Sequence, residues 1–162
     1  MSIVLTADDR QAVARHARGL EVVLAAEATG GALAVLDCQV PAGTAGPPLH
    51  RHPDSDETFL VTEGRLLVHL DGAVTELGPG GVAFVSRGVA HTFATPPGQA
   101  ARFITVHTPG GFEGFHTAAA AAEQQKGEPL GIPELIALAS EFDWQLAGPP
   151  LLPTGQLVDQ PS

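Results

Sequence analysis

The sequence predicts an all-β fold, a small antiparallel barrel or jelly roll with helices added near its C-terminal end. Three observations carry that expectation. Glycine (19) and proline (14) make up about a fifth of the 162 residues, against a usual share of roughly 12%. That composition suits short strands joined by many turns better than a helix bundle. Between Leu20 and Thr108, short apolar runs recur between glycine, proline and aspartate turn signals, the cadence of an all-β domain. A helical period of apolar residues is found only later, over 132–142.

Taken in order, residues 1–19 read as an irregular or weakly helical lead-in. The runs LEVVLAAEAT and ALAVLDCQV flank Gly30-Gly31, a hairpin signal. In the second run Ala34, Leu36, Cys38 and Val40 share one face and Asp37 and Gln39 the other, so Cys38 is expected as a small buried hydrophobe. The loop PAGTAGPP leads into LHRHPDSDETFLVTEG. Then come a strand at 65–70, the tight turn Asp71-Gly72, a returning strand AVTEL, the loop GPGG, the strand VAFV, the turn SRG, a strand from His91 and the last strand ARFITVHT. The barrel is assigned to 20–116 and a helical segment to 117–148. Within that segment lie a short alanine-rich helix or linker and a better helix over 131–145, begun by Pro133 and Glu134. Its apolar stripe is Ile132, Leu135, Ile136, Ala139 and Phe142. Residues 149–162 are expected to be an extended or disordered tail.

Composition also excludes several functions. Lys+Arg is 8 and Asp+Glu 18, a formal charge of −10, and so acidic a surface repels phosphate backbones. No nucleic-acid partner is expected. One cysteine allows neither an intrachain disulfide nor a four-cysteine metal site. The sole lysine, Lys126, lies far from every motif, and there is no tyrosine to act as a phenolic acid. The first twenty residues hold no apolar secretory core, and no apolar stretch nears the roughly 20 residues that span a bilayer. A cytoplasmic location with no membrane partner is therefore expected. Gly-x-Ser-x-Gly, P-loop and dinucleotide fingerprints are absent.

Among the seven histidines, three stand with a glutamate in a pattern that carries chemistry. His50 and His52 are one residue apart on an expected strand, so both imidazoles project from one face. The polar turn at 53–56 can lay the next strand beside the first, where Glu57, Phe59 and Val61 share a face. His91 follows a further turn, with Phe93 and Thr95 on its side. Three neutral imidazoles and one carboxylate leave a divalent ion a residual charge of about +1 and, if it is octahedral, two open positions. His69 reads as an ordinary strand residue, and His16 and His116 as solvent-exposed. His107 cannot be assigned a face from parity and is left out of the cluster. Asp54 and Asp56 are expected as exposed turn residues, and Phe112 and Phe115 as a plug at one barrel end or packing beneath the C-terminal helix.

These residues resemble the two motifs of the cupins. Gly43, six residues, His50-x-His52, four residues, Glu57, six residues and Gly64 match the first motif, and Gly80, then Gly88 and His91, the second. Ser86 stands where the family usually has proline and Thr95 where it has asparagine; neither is a ligand position. The resemblance implies a single-domain cupin, a double-stranded β-helix holding one divalent ion (Fe, Mn, Ni, Co or Zn) through His50, His52, Glu57 and His91. The ending TPGGFEGF with a helix after it is similar to bacterial cupins related to quercetin 2,3-dioxygenase. That likeness implies an oxidoreductase of the dioxygenase type acting with O2 on an aromatic or enolisable small molecule. Glu57 would be the catalytic base, and Phe59, Val61, Phe93 and Thr95 the pocket. The alternatives are a non-redox zinc enzyme (polyketide cyclase, isomerase or decarboxylase) and a non-catalytic small-molecule-binding cupin. A homodimer is expected, from the habit of the family and the uncovered stripe at 132–142.

Overall fold

The computed structural model describes residues 2–6, 13–16 and 19–158. Two antiparallel sheets face each other. One has the order β1 (Val13–His16), β2 (Leu20–Leu24), β3 (Ala34–Val40), β10 (Ala101–Thr108), β5 (Asp56–Gly64), β8 (Val82–Val85). The other runs β11 (Gln145–Pro150), β4 (Pro48–Arg51), β9 (His91–Ala94), β6 (Leu66–Leu70), β7 (Ala73–Leu77). Helices α1 (Glu113–Lys126) and α2 (Ile132–Ala139) lie between β10 and β11 in the chain. Among the described residues no helix is long and apolar enough to cross a membrane.

The period-two alternation read from the sequence decides which faces meet. Glu57, Phe59 and Val61 are buried along β5, and Ala101, Phe103, Thr105 and His107 along β10. With Ala34, Leu36 and Cys38 of β3 and Leu66 and Val68 of β6, the apolar members form one core between the sheets. Burial pushes the Cys38 thiol far up, out of the range in which a thiolate forms. Asp37, on the other face of β3, is also buried. Its carboxylate accepts hydrogen bonds from Nε and Nη2 of Arg102 at 3.0 and 2.7 Å.

Turn chemistry does its part at Asp71-Gly72, where φ is 51° and 78°. Positive φ at both central residues is the hairpin turn whose twist matches that of β6 and β7. At Gly64, φ is 71° and a Cβ would come within 1.7 Å of the Ala100 carbonyl oxygen. Any side chain there would push the end of β5 away from the start of β10.

Several expectations need correction. The lead-in is not weakly helical where it is described: Val13–His16 is a strand paired with β2. The side chain of His16 lies outside the described residues. Gly30 ends a short 3-10 turn, Ala26–Thr29, inside the β2–β3 connection, which makes that hairpin longer than Gly30-Gly31 alone implied. The 53–55 turn does not lay β5 beside β4. It carries the chain from one sheet to the other, β4 pairing with β9 and β11, and β5 with β10 and β8.

Helix α1 starts at Glu113, inside the stretch assigned to the barrel, and α2 stops at Ala139. The Ser140 hydroxyl donates back to the Ala137 carbonyl at 2.6 Å, a local bond that competes with continuing the helix. Of the expected stripe, Ile136, Ala139 and Phe142 pack with Phe112, Phe115 and Trp144, whereas Ile132 is exposed. Most of the stripe is thus covered by its own chain. The described part of the tail, 149–158, takes the extended alternative and packs: Gln145–Pro150 pairs with β4, and Leu151 is fully buried against Leu67 and Ala94 on the outer face of the second sheet. Pro149 and Pro150 are tolerated because β11 is an edge strand.

Candidate metal centre

The four residues singled out by spacing converge at one end of the space between the sheets. His50 on β4 sits opposite His91 on β9, Glu57 projects from β5 in the facing sheet, and His52 follows directly after β4. All four are buried, and one ligand atom from each lies within 4.8 Å of the others. One ion with bonds of about 2.1 Å gathers such a set with small side-chain shifts.

Hydrogen bonds aim the rings. His50 Nδ1 donates to the Pro48 carbonyl at 2.7 Å, His52 Nδ1 to the Asp143 carbonyl at 2.5 Å and His91 Nδ1 to the Val89 carbonyl at 3.0 Å. A carbonyl only accepts, so each Nδ1 carries a proton and Nε2 is the atom left to ligate. This is how backbone carbonyls orient histidines that ligate metals. Glu57 Oε2 lies 2.8 Å from His91 Nε2 and 3.4 Å from His52 Nε2. Lone pairs and a carboxylate gathered so closely repel one another unless a cation or proton lies among them. His52 Nε2 is buried with no hydrogen-bond partner among the described residues. The donor set and this orphaned nitrogen fit a divalent metal ion.

Two of the four residues are held in the protonation state that binds a metal. Burial holds the His50 imidazole well below the usual range, helped by His91 and His52, so the ring is neutral and its lone pair available. Burial alone would raise the Glu57 carboxyl, but His107, His52 and His91 outweigh it and hold it well below the usual carboxylate range. For His52 burial works against the charge, yet Glu57 and Asp143 prevail and the ring is raised above its ordinary value.

The second motif is held to the first by hydrogen bonds from the turn that follows Ser86. Asp56 is not simply a solvated turn residue: its carboxylate accepts from the Arg87 backbone at 2.8 Å and from Nε and Nη2 of the same side chain at 3.2 and 2.9 Å. The Arg87 guanidinium keeps the Asp56 carboxyl below its ordinary value. Gly88 N donates to the His52 carbonyl at 2.7 Å, which ties the His91 turn to the His50-x-His52 strand. Asp54, by contrast, is exposed as expected.

The expected pocket residues have distinct places. The Phe59 ring lies 6.1 Å from that of His91 and 6.0 Å from Phe93, and both phenylalanines meet Phe103. Together they form an apolar floor under the cluster. Val61 sits deeper, in the main core. The fully buried Thr95 uses its hydroxyl on the 41–44 loop, donating to the Pro41 carbonyl at 2.6 Å and accepting from Thr44 N at 2.9 Å. That loop anchorage leaves its oxygen committed away from the cluster.

Three residues near the cluster were not anticipated there. His107 is 1% exposed, with Nε2 3.4 Å from Glu57 Oε1, the carboxylate oxygen turned away from His91. Its Nδ1 has no hydrogen-bond partner among the described residues, and burial lowers its pKa. The charged Arg102 on the same strand was an available signal: if 102 faces outward, 103, 105 and 107 face inward. Trp144 stacks on His50 with ring centroids 5.5 Å apart, and Phe112 meets His52 at 4.4 Å. Phe112 also stacks on Phe115, which contacts Phe142, so the expected plug and the helix packing are one layer. His116, expected in solvent, is half-buried against Phe112 and Phe115. No pattern marked Trp144. His69 is buried on β6, and an open groove of about 620 Å³ lined by Gly19, Pro41, Glu63 and Arg102 lies at the far end of the strands, roughly 20 Å away by strand rise.

Comparison with known proteins agrees with this architecture. Residues 36–107 match the model of the Cupin domain, and the paired sheets form a cupin jelly roll. The polyketide cyclase RemF from Streptomyces resistomycificus is 25% identical over 67% of this chain and 80% of its own, with a TM-score of 0.53. KdgF from Halomonas sp. is 20% identical over 67% and 94% of the two chains, TM-score 0.54. A cupin-like protein from Thermotoga maritima is 22% identical over 56% and 67%, TM-score 0.51. No curated protein sequence matches the chain.

Proposed function

We propose that this cupin jelly roll is a metal-dependent enzyme that holds an enolisable small molecule by its oxygen and stabilises the enolate formed from it. The observation that carries the reading is the set of three Nδ1-tied histidines converging on one buried carboxylate. A bound divalent ion would supply Lewis-acid polarisation of a carbonyl oxygen. His50, His52, His91 and Glu57 would hold it, and Phe59 and Phe93 present an apolar wall to the carbon skeleton of the substrate. Glu57, ionised beside the ion, would also take the proton lost from the substrate carbon as the enolate forms, and would return it to the product. His107, buried beside Oε1, orients that carboxylate from the opposite side. Phe112 and Trp144, packed on His52 and His50, would flank an aromatic or polycarbonyl substrate held at the ion.

The non-redox form of this chemistry, cyclisation of a polycarbonyl chain, is favoured by the likeness to RemF. The dioxygenase form shares the enolate and differs in consuming O2; a site of three nitrogens and one oxygen suits iron, manganese, nickel or cobalt as well as zinc. Metal analysis of protein purified without added metal, followed by incubation with β-diketones, flavonols and linear polyketones under air and under argon, tests both. Conversion that persists under argon supports the cyclase type, and substrate-dependent O2 uptake supports the dioxygenase type. Protein that takes up no divalent metal overturns the proposal.

A second copy of the chain is the proposed partner. Leu60, Val82 and Phe84 are 41, 56 and 57% exposed on the outer face of the edge pair β5–β8, an apolar patch of the kind that marks an interface. Light scattering at micromolar concentration should return twice the chain mass; a monomer mass removes the dimer.

A further inference from the structure

We infer that Asp143 is a positioning residue for His52, and that the segment 143–146 completes the metal centre from outside the matched domain. The inference rests on the metal-centre reading above. The backbone carbonyl of Asp143 accepts the Nδ1 proton of His52, 91 residues away in sequence. Its carboxylate does a second job: Oδ1 accepts from Asp54 N at 2.9 Å and Oδ2 from the Ser55 hydroxyl at 2.5 Å. Asp54 and Ser55 belong to the turn between two of the ligands, His52 and Glu57. One residue thus fixes both the ring orientation of the first and the path of the chain toward the second.

The segment around Asp143 is itself well anchored. Trp144 N donates to the Phe142 carbonyl at 2.7 Å, and the indole, 7% exposed, lies against His50. Gln145 and Leu146 then pair with Arg51 and His50, which makes β11 the neighbour of the ligand strand. Ring contact, strand pairing, the carbonyl bond and the carboxylate clamp all act on the stretch 50–55. A residue that served only to close a surface loop would not need to reach a buried imidazole. With the carboxylate gone, the tie that fixes the Asp143 carbonyl relative to the 54–55 turn is lost, and the bond that holds His52 Nδ1 loosens. Loss of such a partner behind a ligating histidine typically weakens metal binding by about 10–100-fold.

The experiment is a Co2+ titration of the unaltered chain, of Asp143→Ala and of Asp143→Asn, followed by visible absorption, with melting of each metal-free protein alongside. Asp143→Ala is expected to bind Co2+ about 10–100-fold more weakly and with shifted absorption bands. Asp143→Asn, whose amide oxygen still accepts from Asp54 N, should recover part of the affinity and the original bands. If the unaltered chain binds no Co2+, the metal centre falls and this inference with it. Should the unaltered chain bind while Asp143→Ala matches its affinity and spectrum, the inference alone is overturned. Weaker binding with unchanged bands and no recovery in Asp143→Asn also overturns it, since that is the behaviour of a purely structural residue. If Asp143→Ala does not fold, Ser55→Ala decides: weaker binding with shifted bands and an unaltered metal-free melt supports the inference, and unchanged binding refutes it.

Discussion

Glu57→Gln should lower the affinity for a divalent metal by more than about 100-fold, beyond what loss of a residue behind a ligand costs. The substitution keeps the shape of the side chain and removes the only carboxylate in the cluster. The glutamine would place an amide among three rings whose Nδ1 protons are already committed, and an ion there would keep its full double charge. The pH dependence has a definite sign. Burial disfavours a charged His52, but Glu57 and Asp143 outweigh burial and raise its pKa above the ordinary value. A proton therefore competes with the metal up to a higher pH than for a free histidine, and affinity in the unaltered chain should fall as pH is lowered through neutrality. In Glu57→Gln that dependence should weaken, because Glu57, the larger of the two influences that retain the proton on His52, is gone. Calorimetric titration with Zn2+ or Co2+ at several pH values reads both effects. Equal affinity in the two proteins would remove Glu57 from the centre.

Phe103→Ala should destabilise the fold by about 3–5 kcal/mol, the usual cost of truncating a fully buried phenylalanine. Phe103 is 0% exposed and lies between β3 and β5, opposite Cys38 and Val61, with the rings of Phe59 and Phe93 at 5.9 and 5.2 Å. Strands tied by backbone bonds on both sides cannot close over the void, so most of the lost contact stays lost. Against a total stability of about 5–15 kcal/mol, that is a large fraction. Phe84→Ala is the control: the ring is 57% exposed, and its removal should change monomer stability by about 0.5 kcal/mol or less. Urea denaturation reads both, and a loss below about 1 kcal/mol at Phe103 would mean that the core does not close around this ring. Since Phe59 also borders His91, the loosened floor should weaken metal binding in the same variant.

What was legible in the sequence follows from the range of the interactions involved. Turns such as Asp71-Gly72 are decided by the φ angles that neighbouring residues tolerate, and the side alternation along β5 by strand geometry alone. The four candidate ligands could be read because two stand one residue apart at the end of one short strand and the other two sit at set distances from glycine turns. Asp56 was read as a solvated turn residue because its partner, Arg87, comes from the other motif. Helix α2 was drawn too long because the apolar period runs on to Phe142, where packing against Phe112 and Phe115 and the pull of Asp143 toward His52 take over.

The amino-acid sequence by itself determined a β-rich chain, most of its strand and turn positions, and the residues that converge as a His–Glu cluster, because these depend on local backbone preference and short spacings. Only the tertiary structure decided that β4 and β5 lie in different sheets, that His107 stands across from Glu57, and that Asp143 and Trp144 close over the histidines. Those contacts join residues about fifty to ninety positions apart, and no periodicity encodes them. They depend on strand register across the barrel and on the C-terminal segment returning to pair with β4, which is settled only when the whole chain packs.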